Sequence, residues 1–299
     1  MKAAFQGCGT ALITPFLPDG SLDETALRRL VRWQIAEGID FLVPGGTTGE
    51  SPTLTRDEHL RVVAITLEEA RRERRVPVLA GAGGNNTAGV IALAREIERL
   101  GADGILSVAP YYNKPTQEGL YQHYAAIAAA VRLPIVLYNV PGRTSSNIEP
   151  ATVARLAKIP NILGVKEASG SITQMTDVLA AVPAEFTVLS GDDALALPLI
   201  ALGGRGVVSV ASNEIPGPMT ELIRFARAGD WPAARRLQFR YWPLFQMNFV
   251  ESNPIPVKAV LARLGYCQEI YRLPLVPLSS GAREKLERAL AAVGLAAAK

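Results

Sequence analysis

The sequence predicts an α/β fold of the (β/α)8-barrel type, and three observations predict it. Short apolar runs alternate with stretches of helical periodicity along most of the chain. The runs are continuously apolar rather than alternating, as expected of parallel strands buried on both faces. They number eight in a chain of 299 residues, which suits eight strand–helix units with some surplus.

In order, the expected strands are ALIT (11–14), DFLVPG (40–45), VPVLAG (76–81), GILSV (104–108), PIVLYN (134–139), ILGVK (162–166), FTVLSG (186–191) and GVVSVA (206–211). Helical periodicity fills the intervals, as in DETALRRLVRWQIAEG (23–38) and TAGVIALAREIERLG (87–101). In the second, Val90, Leu93, Ala94, Ile97 and Leu100 fall on one face. Gly38 and Gly101 stand just past helices, where a left-handed residue ends them. After residue 230 the strand signal fades. WPAARRLQFRYWPLFQMNFV, NPIPVKAVLARLG and SGAREKLERALAAVG read as three further helices. The expected organisation is a catalytic barrel over 1–230 with a helical extension, 231–299, packed on it. An open, doubly wound sheet is the alternative, but GAGGNN (81–86) lacks the last glycine and the acidic partner of a dinucleotide fingerprint.

Composition narrows the function classes. With 48% hydrophobic and 20% charged residues the chain reads as soluble and globular. The 31 basic and 28 acidic residues nearly cancel, so neither nucleic acid nor an anionic membrane is an expected partner. The densest basic run, Arg71-Arg72-Glu73-Arg74-Arg75, ends a predicted helix, where cations complement the dipole. Two cysteines, Cys8 and Cys267, make no disulfide framework. His59 and His123 lack cysteine partners at ligand spacing, so no metal is expected. MKAAFQGCGT has no apolar leader core, and no run reaches ~18 apolar residues. The expected location is the cytoplasm.

Active sites of such barrels sit at the C-terminal ends of the strands. There the sequence puts Gly45-Gly46-Thr47-Thr48-Gly49-Glu50-Ser51, then Tyr111-Tyr112, then Tyr138-Asn139-Val140-Pro141-Gly142-Arg143, then Lys166, then Ser190-Gly191-Asp192-Asp193. Burial in a barrel mouth disfavours the charge of an ammonium. A lysine such as Lys166 then becomes an amine nucleophile that condenses with a carbonyl to give an imine. The plainer alternative is a lysine that reaches solvent or pairs with Glu167. Its company favours the imine. Tyr138 can carry the protons that imine formation moves, with Thr47 and Tyr112 as a relay. Backbone N–H groups around Thr47 and Thr48 suit a small carboxylate, and Arg143 offers a fork for a second one. Each also has an ordinary reading: Thr-Thr-Gly is a common loop, tyrosines pack, and an arginine in a Pro-Gly turn faces water.

Taken together, GTTGES (46–51), PYYNKPTQEGLYQHY (110–124), LYNVPGRT (137–144), GVKEASG (164–170), SGDDA (190–194), GGRGVVSV (203–210) and NPIPVKA (253–259) are in family order and spacing. With them the chain resembles the dihydrodipicolinate synthases, within the pyruvate-dependent class I aldolase family that also holds N-acetylneuraminate lyase. The similarity runs from about residue 5 to 295. Gly-Thr-Thr-Gly, where the lyases usually have Gly-Ser-Thr-Gly, and Arg143, which they lack, point to the synthases. The resemblance implies Lys166 as the imine-forming lysine, Tyr138 as proton carrier, and Thr47 with Tyr112 as its relay. It implies Thr48 on the pyruvate carboxylate, Arg143 on that of the aldehyde, and Gly191 and Val208 lining the pocket through backbone groups. The implied reaction joins pyruvate to L-aspartate 4-semialdehyde, on the route to diaminopimelate and lysine, with no cofactor beyond the imine on Lys166. The implied assembly is a homotetramer of tight dimers, with Tyr112 inserted into the neighbour's site. An aldolase of 2-keto-3-deoxy sugar acids or of hydroxyoxoglutarate is the alternative activity, and a silent barrel sensing small acids is the alternative class.

In regulated relatives, the resemblance further implies, lysine binds at the tight interface. The matching positions are Ser51, Leu54, Arg56, His59, Asn85 and Tyr111. Gly89 stands where regulated members carry a glutamate, and Arg56, which adds positive charge, stands where a histidine is common. The expectation is weak or absent inhibition by lysine.

Overall fold

The barrel opens on a strand of small residues, β1 (Gly7–Ala11), in the computed structural model, which describes residues 5–72 and 76–295. This corrects the expected first strand, 11–14, of which only Ala11 belongs to β1. Crowding is the reason. A Cβ on Gly9 would overlap the Phe41 ring, and Gly7 has φ +91° beside the Asp40 carboxylate. The glycines therefore mark close approach rather than a break. Leu12, Ile13 and Thr14 continue past the strand end as irregular buried backbone. Leu12 N–H donates to Val43 O (3.0 Å), Ile13 N–H to Asn213 Oδ1 (3.2 Å) and Thr14 Oγ1 to Gly49 O (2.7 Å).

The remaining elements alternate as expected: α1 (Glu24–Ala36), β2 (Phe41–Val43), α2 (Arg56–Ala70), β3 (Leu79–Gly81), α3 (Thr87–Leu100), β4 (Gly104–Val108), α4 (Gln117–Ala130), β5 (Ile135–Asn139), a one-turn α5 (Pro141–Thr144), α6 (Pro150–Leu156), β6 (Ile162–Glu167), α7 (Ile172–Ala181), β7 (Thr187–Ser190), α8 (Asp193–Ala201), β8 (Gly206–Ser209) and α9 (Pro216–Ala228). The strands pair in parallel in the order β2-β1-β8-β7-β6-β5-β4-β3. A parallel bridge between Leu42 and Val78 joins the two ends of that order, with Leu42 N–H on Pro77 O and Gly81 N–H on Pro44 O, both 2.9 Å. The sheet is a (β/α)8 barrel, not an open doubly wound sheet.

The apolar continuity of the strands has the expected cause. Alternate side chains face opposite ways. Phe41, Val43, Leu79, Leu106, Val136, Leu189 and Val208 fill the barrel. Leu42, Ile105, Leu137, Val188 and Val207 pack under the helices. Each fully buried aliphatic side chain contributes about 1.5–3 kcal/mol.

Local capping sets the helix positions. Thr55 and Glu58 form a reciprocal capping box at the start of α2. Asn86 Oδ1 accepts from Ala88 and Gly89 N–H at the start of α3, and Gly101, at φ +82°, ends it. Val90, Ala94 and Ile97 of α3 are buried as expected, but Leu100 in its last turn is 36% exposed. In the basic run, Arg71 caps α2 and donates to Gly101 O at 2.6 Å, while Glu73, Arg74 and Arg75 lie outside the described residues. The three C-terminal helices appear as α10 (Trp231–Met247), α11 (Ile255–Arg263) and α12 (Ser280–Val293). Among the described residues no helix is long and apolar enough to cross a membrane.

Candidate active site

The register of β5 against β6 sets Tyr138 beside Lys166. Lys166 is 6% exposed, and its Nζ lies 4.1 Å from the centroid of the Tyr138 ring. Among the described residues no hydrogen bond or ion pair holds that Nζ. Glu167, next along the strand, is fully buried in a different network. Its carboxylate accepts from Ser169 N–H (2.7 Å), Asn139 Nδ2 (2.9 Å) and Gln174 Nε2 (3.3 Å). A Lys166–Glu167 pair is thereby excluded, and the amine stands free inside the barrel.

Gly191 follows β7 and is tied by its N–H to Glu167 O at 2.8 Å. A Cβ here would lie 2.9 Å from Lys166 Cε and 2.5 Å from Ala168 Cβ, so glycine leaves the lysine its room. Val208 on β8 is fully buried, pairs with Gly9 and packs in the inner cluster with Tyr138.

The Thr47–Thr48 turn leaves β2 through Gly45, whose φ is +67° and where a Cβ would lie 2.6 Å from the His59 ring. Backbone bonds from Gly49 N–H to Gly46 O and from Glu50 N–H to Thr47 O, both 3.1 Å, close it. Thr48 is 3% exposed, and its Oγ1 accepts from Asn253 Nδ2 at 2.9 Å. Asn253 O in turn accepts from Arg143 Nη2 at 3.3 Å. Glu50 takes the left-handed conformation, φ 54°. Its buried carboxylate is held by Lys258 Nζ and by Arg272 N–H (3.3 Å). Burial pulls the Lys258 ammonium below its ordinary pKa, against the opposing pull of Glu50.

A cavity of about 420 Å³ opens beside these groups. Thr47, Tyr138 and Arg143 line it, and so do Ser51, Leu54, Arg56, His59, Gly89 and Tyr111. Lys166, Thr48, Gly191 and Val208 are not in its wall, and Tyr138 is the side chain that touches both the cavity and Lys166. The positions expected for an effector thus open into the same space as Tyr138. Asn85 is outside the wall but donates to Tyr111 O at 3.2 Å. His59 Nε2 lies 2.8 Å from Gly81 O, and burial lowers the pKa of its imidazole. Arg56 keeps its positive charge, but its Nε is paired with Glu96 Oε2 at 2.6 Å, so the charge is partly compensated.

Tyr112 is not brought to Tyr138 within one chain. It is 88% exposed and has φ +71°, a costly conformation for a bulky residue. Asn113 N–H on Tyr111 O (2.8 Å) and Asn113 Nδ2 on Asn85 O (3.0 Å) hold this tight turn. The expected relay of Thr47 and Tyr112 is therefore not closed in a single chain.

Sequence reasoning missed Asn253, Lys258 and Glu50 as partners of the turn. A charged residue within the apolar NPIPVKA motif was the available signal. It placed Asp193 at the mouth without a role; Asp193 Oδ2 accepts from Val210 N–H (3.1 Å) and Ala211 N–H (2.9 Å) and ties α8 to the end of β8. Burial pushes its carboxyl up to about 6.

The sequence profile of the dihydrodipicolinate synthetase family matches residues 4–293. The chain belongs to that family. A 4-hydroxy-tetrahydrodipicolinate synthase of Koribacter versatilis is 58% identical over 291 residues, 97% of this chain and 96% of that one. The crystal structure of dihydrodipicolinate synthase from Aquifex aeolicus matches with a TM-score of 0.96 at 42% identity, over 99% of this chain and all of that one. The chloride-inhibited synthase of Acinetobacter baumannii, complexed with pyruvate, matches at 0.95 and 45% identity, over 97% and 99% of the two chains.

Proposed function

We propose that this enzyme condenses pyruvate with L-aspartate 4-semialdehyde to 4-hydroxy-tetrahydrodipicolinate, in the route to diaminopimelate and lysine, through an imine on Lys166. The observation that carries the reading is a buried amine with no anionic partner beside a tyrosine that borders a cavity. The names of the relatives support the substrates.

In this reading Lys166 Nζ attacks the ketone carbon of pyruvate, and the carbinolamine loses water to give the imine. Loss of a methyl proton gives an enamine, whose carbon attacks the aldehyde carbon of the second substrate. The amino group of that substrate then closes on the imine carbon and expels Lys166. Tyr138 carries the protons, with Thr47, which lines the same cavity, as a relay. Thr48 and the N–H groups of its turn take the pyruvate carboxylate, and Gly191 and Val208 shape the pocket through their backbone. Arg143, exposed at the cavity and lightly held by one carbonyl, takes the carboxylate of the aldehyde. The imine is the only prosthetic bond, and the enzyme works in the cytoplasm without cofactor.

The proposed assembly is a homotetramer of tight dimers, with Tyr112 completing the relay of its neighbour. Its exposure on a strained turn supports this. Mixing Tyr112→Phe and Lys166→Ala protomers then restores sites that hold an intact lysine and a neighbour's intact tyrosine. Absence of complementation in exchanged mixtures argues against the insertion.

The central test is reduction with borohydride in the presence of pyruvate. A reduced pyruvyl adduct is expected on Lys166, and Lys166→Ala loses the adduct and most turnover while keeping its fold. An adduct on Lys258, or none, removes the mechanism. Coupling to the next reductase and following nicotinamide consumption distinguishes the named product from those of sugar-acid aldolases.

A further inference from the structure

Resting on the reading of Thr48 as a pyruvate-binding residue, we infer that Asn253, from the helical extension, sets the direction of the Thr48 hydroxyl and so makes it a donor to the substrate carboxylate. Asn253 is a positioning residue, and it acts through Thr48 rather than on the reacting atoms.

Three observations converge on this. Asn253 Nδ2 donates to Thr48 Oγ1 at 2.9 Å between side chains that are 6% and 3% exposed. A hydroxyl has one proton and two lone pairs. With one lone pair engaged by the amide, the proton must point elsewhere, and among the described residues no group accepts it. A buried hydroxyl proton without an acceptor is ready for an anion, and presetting its direction avoids the reorganisation a free rotor would need. Lastly, the parts are clamped. Glu50, two residues beyond Thr48, is gripped by Lys258, five residues beyond Asn253. The turn and the extension are thus joined at two points, and Thr48 cannot swing away from the amide. Asn253 O also accepts from Arg143, so one residue touches both proposed carboxylate-binding side chains.

Asn253→Asp replaces the donor with an acceptor of the same shape. The Thr48 proton then turns to the new carboxylate, and its lone pairs face the substrate. The experiment is a double-mutant cycle read in the KM for pyruvate at saturating aldehyde. Thr48→Val removes the hydroxyl and is expected to raise this KM about tenfold in the parent enzyme. In the Asn253→Asp background the same Thr48→Val change is expected to raise it by less than twofold, or to lower it. Measuring the step within each background cancels the direct repulsion between the new carboxylate and pyruvate. Asn253→Ala, which merely frees the rotor, should leave an intermediate step of about threefold, and it serves also if Asn253→Asp folds poorly. The KM for the aldehyde should stay within about twofold in each Asn253 variant, because Arg143 bonds to the main chain. A general slackening of the segment would raise both constants. An equal tenfold Thr48→Val step in every background overturns the inference and leaves the functional reading intact. Failure of the parent enzyme to trap pyruvate on Lys166 overturns that reading, and the inference with it.

Discussion

Gly191→Ala tests the lysine without touching it. The added methyl would sit 2.9 Å from Lys166 Cε and 2.5 Å from Ala168 Cβ. Carbon atoms settle at about 3.5–4.0 Å, so relief needs a shift of roughly 0.6–1 Å at Lys166 and at least about 1 Å at Ala168. Gly191 is not in the left-handed region, so the backbone accepts alanine and the cost is crowding alone. Overpacking of this kind costs about 1–3 kcal/mol of stability. Misplacing a reacting atom by 1 Å costs about a hundredfold in rate. The expected result is a folded protein whose imine with pyruvate forms about a hundredfold more slowly. The assay is a timed borohydride quench read by intact mass, beside thermal unfolding. Ala168→Gly removes the closer of the two collisions, so the double variant should recover much of the rate. If Gly191→Ala traps pyruvate at the parental rate, then Lys166 does not react from the position beside Gly191, and the assignment of that channel fails.

Arg143→Ala should lower kcat/KM for the aldehyde by an amount worth roughly 2–4 kcal/mol, the loss of a charge-assisted fork, while pyruvate is still trapped on Lys166. Undiminished use of aspartate semialdehyde by this variant refutes the substrate assignment. Glu69→Gln addresses stability away from the site. The Glu69 side chain is 1% exposed, accepts from Arg32 Nε (2.7 Å) and Arg28 Nη1 (2.8 Å), and its carboxyl is thereby held at about 2. A folded value below the unfolded one of about 4.5 means stability that is present above that pH and lost as pH falls toward 2. The variant should therefore be less stable by at most about 3 kcal/mol at pH 7, less where the half-exposed Arg32 is screened, with the gap closing by pH 2. An equal loss at both pH values, measured by denaturant unfolding, removes the ion pairs as the cause.

What the sequence disclosed was local. GILSV is β4 residue for residue, because a short run of four buried residues and a half-buried fifth, between a helix-ending glycine and a loop, leaves few other readings. Lys166 was visible for the same reason: a cation at the end of an apolar run is a local anomaly. The first strand was hidden because its glycines answer to Phe41 and Asp40, and a glycine fitted to a distant ring looks like a breaker. The supports of the site were hidden by separation. Asn253 is 205 residues from Thr48 and Lys258 is 208 from Glu50, and no periodicity links such pairs. The same holds for Arg56, whose charge looked free until Glu96, 40 residues on, was found against it. Sequence patterns report which faces are buried. Which polar group meets which is decided by the closure of the barrel.

That pairing changes the size, though not the direction, of the expected response to lysine. Two handicaps were expected at the effector positions, a missing carboxylate at Gly89 and an added positive charge at Arg56. The second is partly offset by Glu96. The first stands, because among the described residues no aspartate or glutamate lines the cavity that Ser51, Leu54, Arg56, His59, Gly89 and Tyr111 share. Glu50 cannot supply one, since it is 2% exposed and engaged by Lys258 and Arg272. Burial also lowers the pKa of His59 and so disfavours its charged form. One lost charge-assisted contact costs roughly 1–3 kcal/mol, which weakens an ammonium-bearing effector about 5- to 150-fold rather than by the two losses combined. Half-inhibition by lysine at saturating pyruvate is accordingly expected above the millimolar range. Gly89→Glu is the gain-of-function test. A Cβ at this position meets nothing nearer than 3.8 Å, and a glutamate in the first turn of α3 suits the helix dipole, so the variant should fold as the parent does. Its inhibition curve should move to lower lysine by at least about fivefold. Sub-millimolar inhibition of the parent enzyme, or a Gly89→Glu variant as insensitive as the parent, would show that the cavity recognises lysine by other groups or not at all.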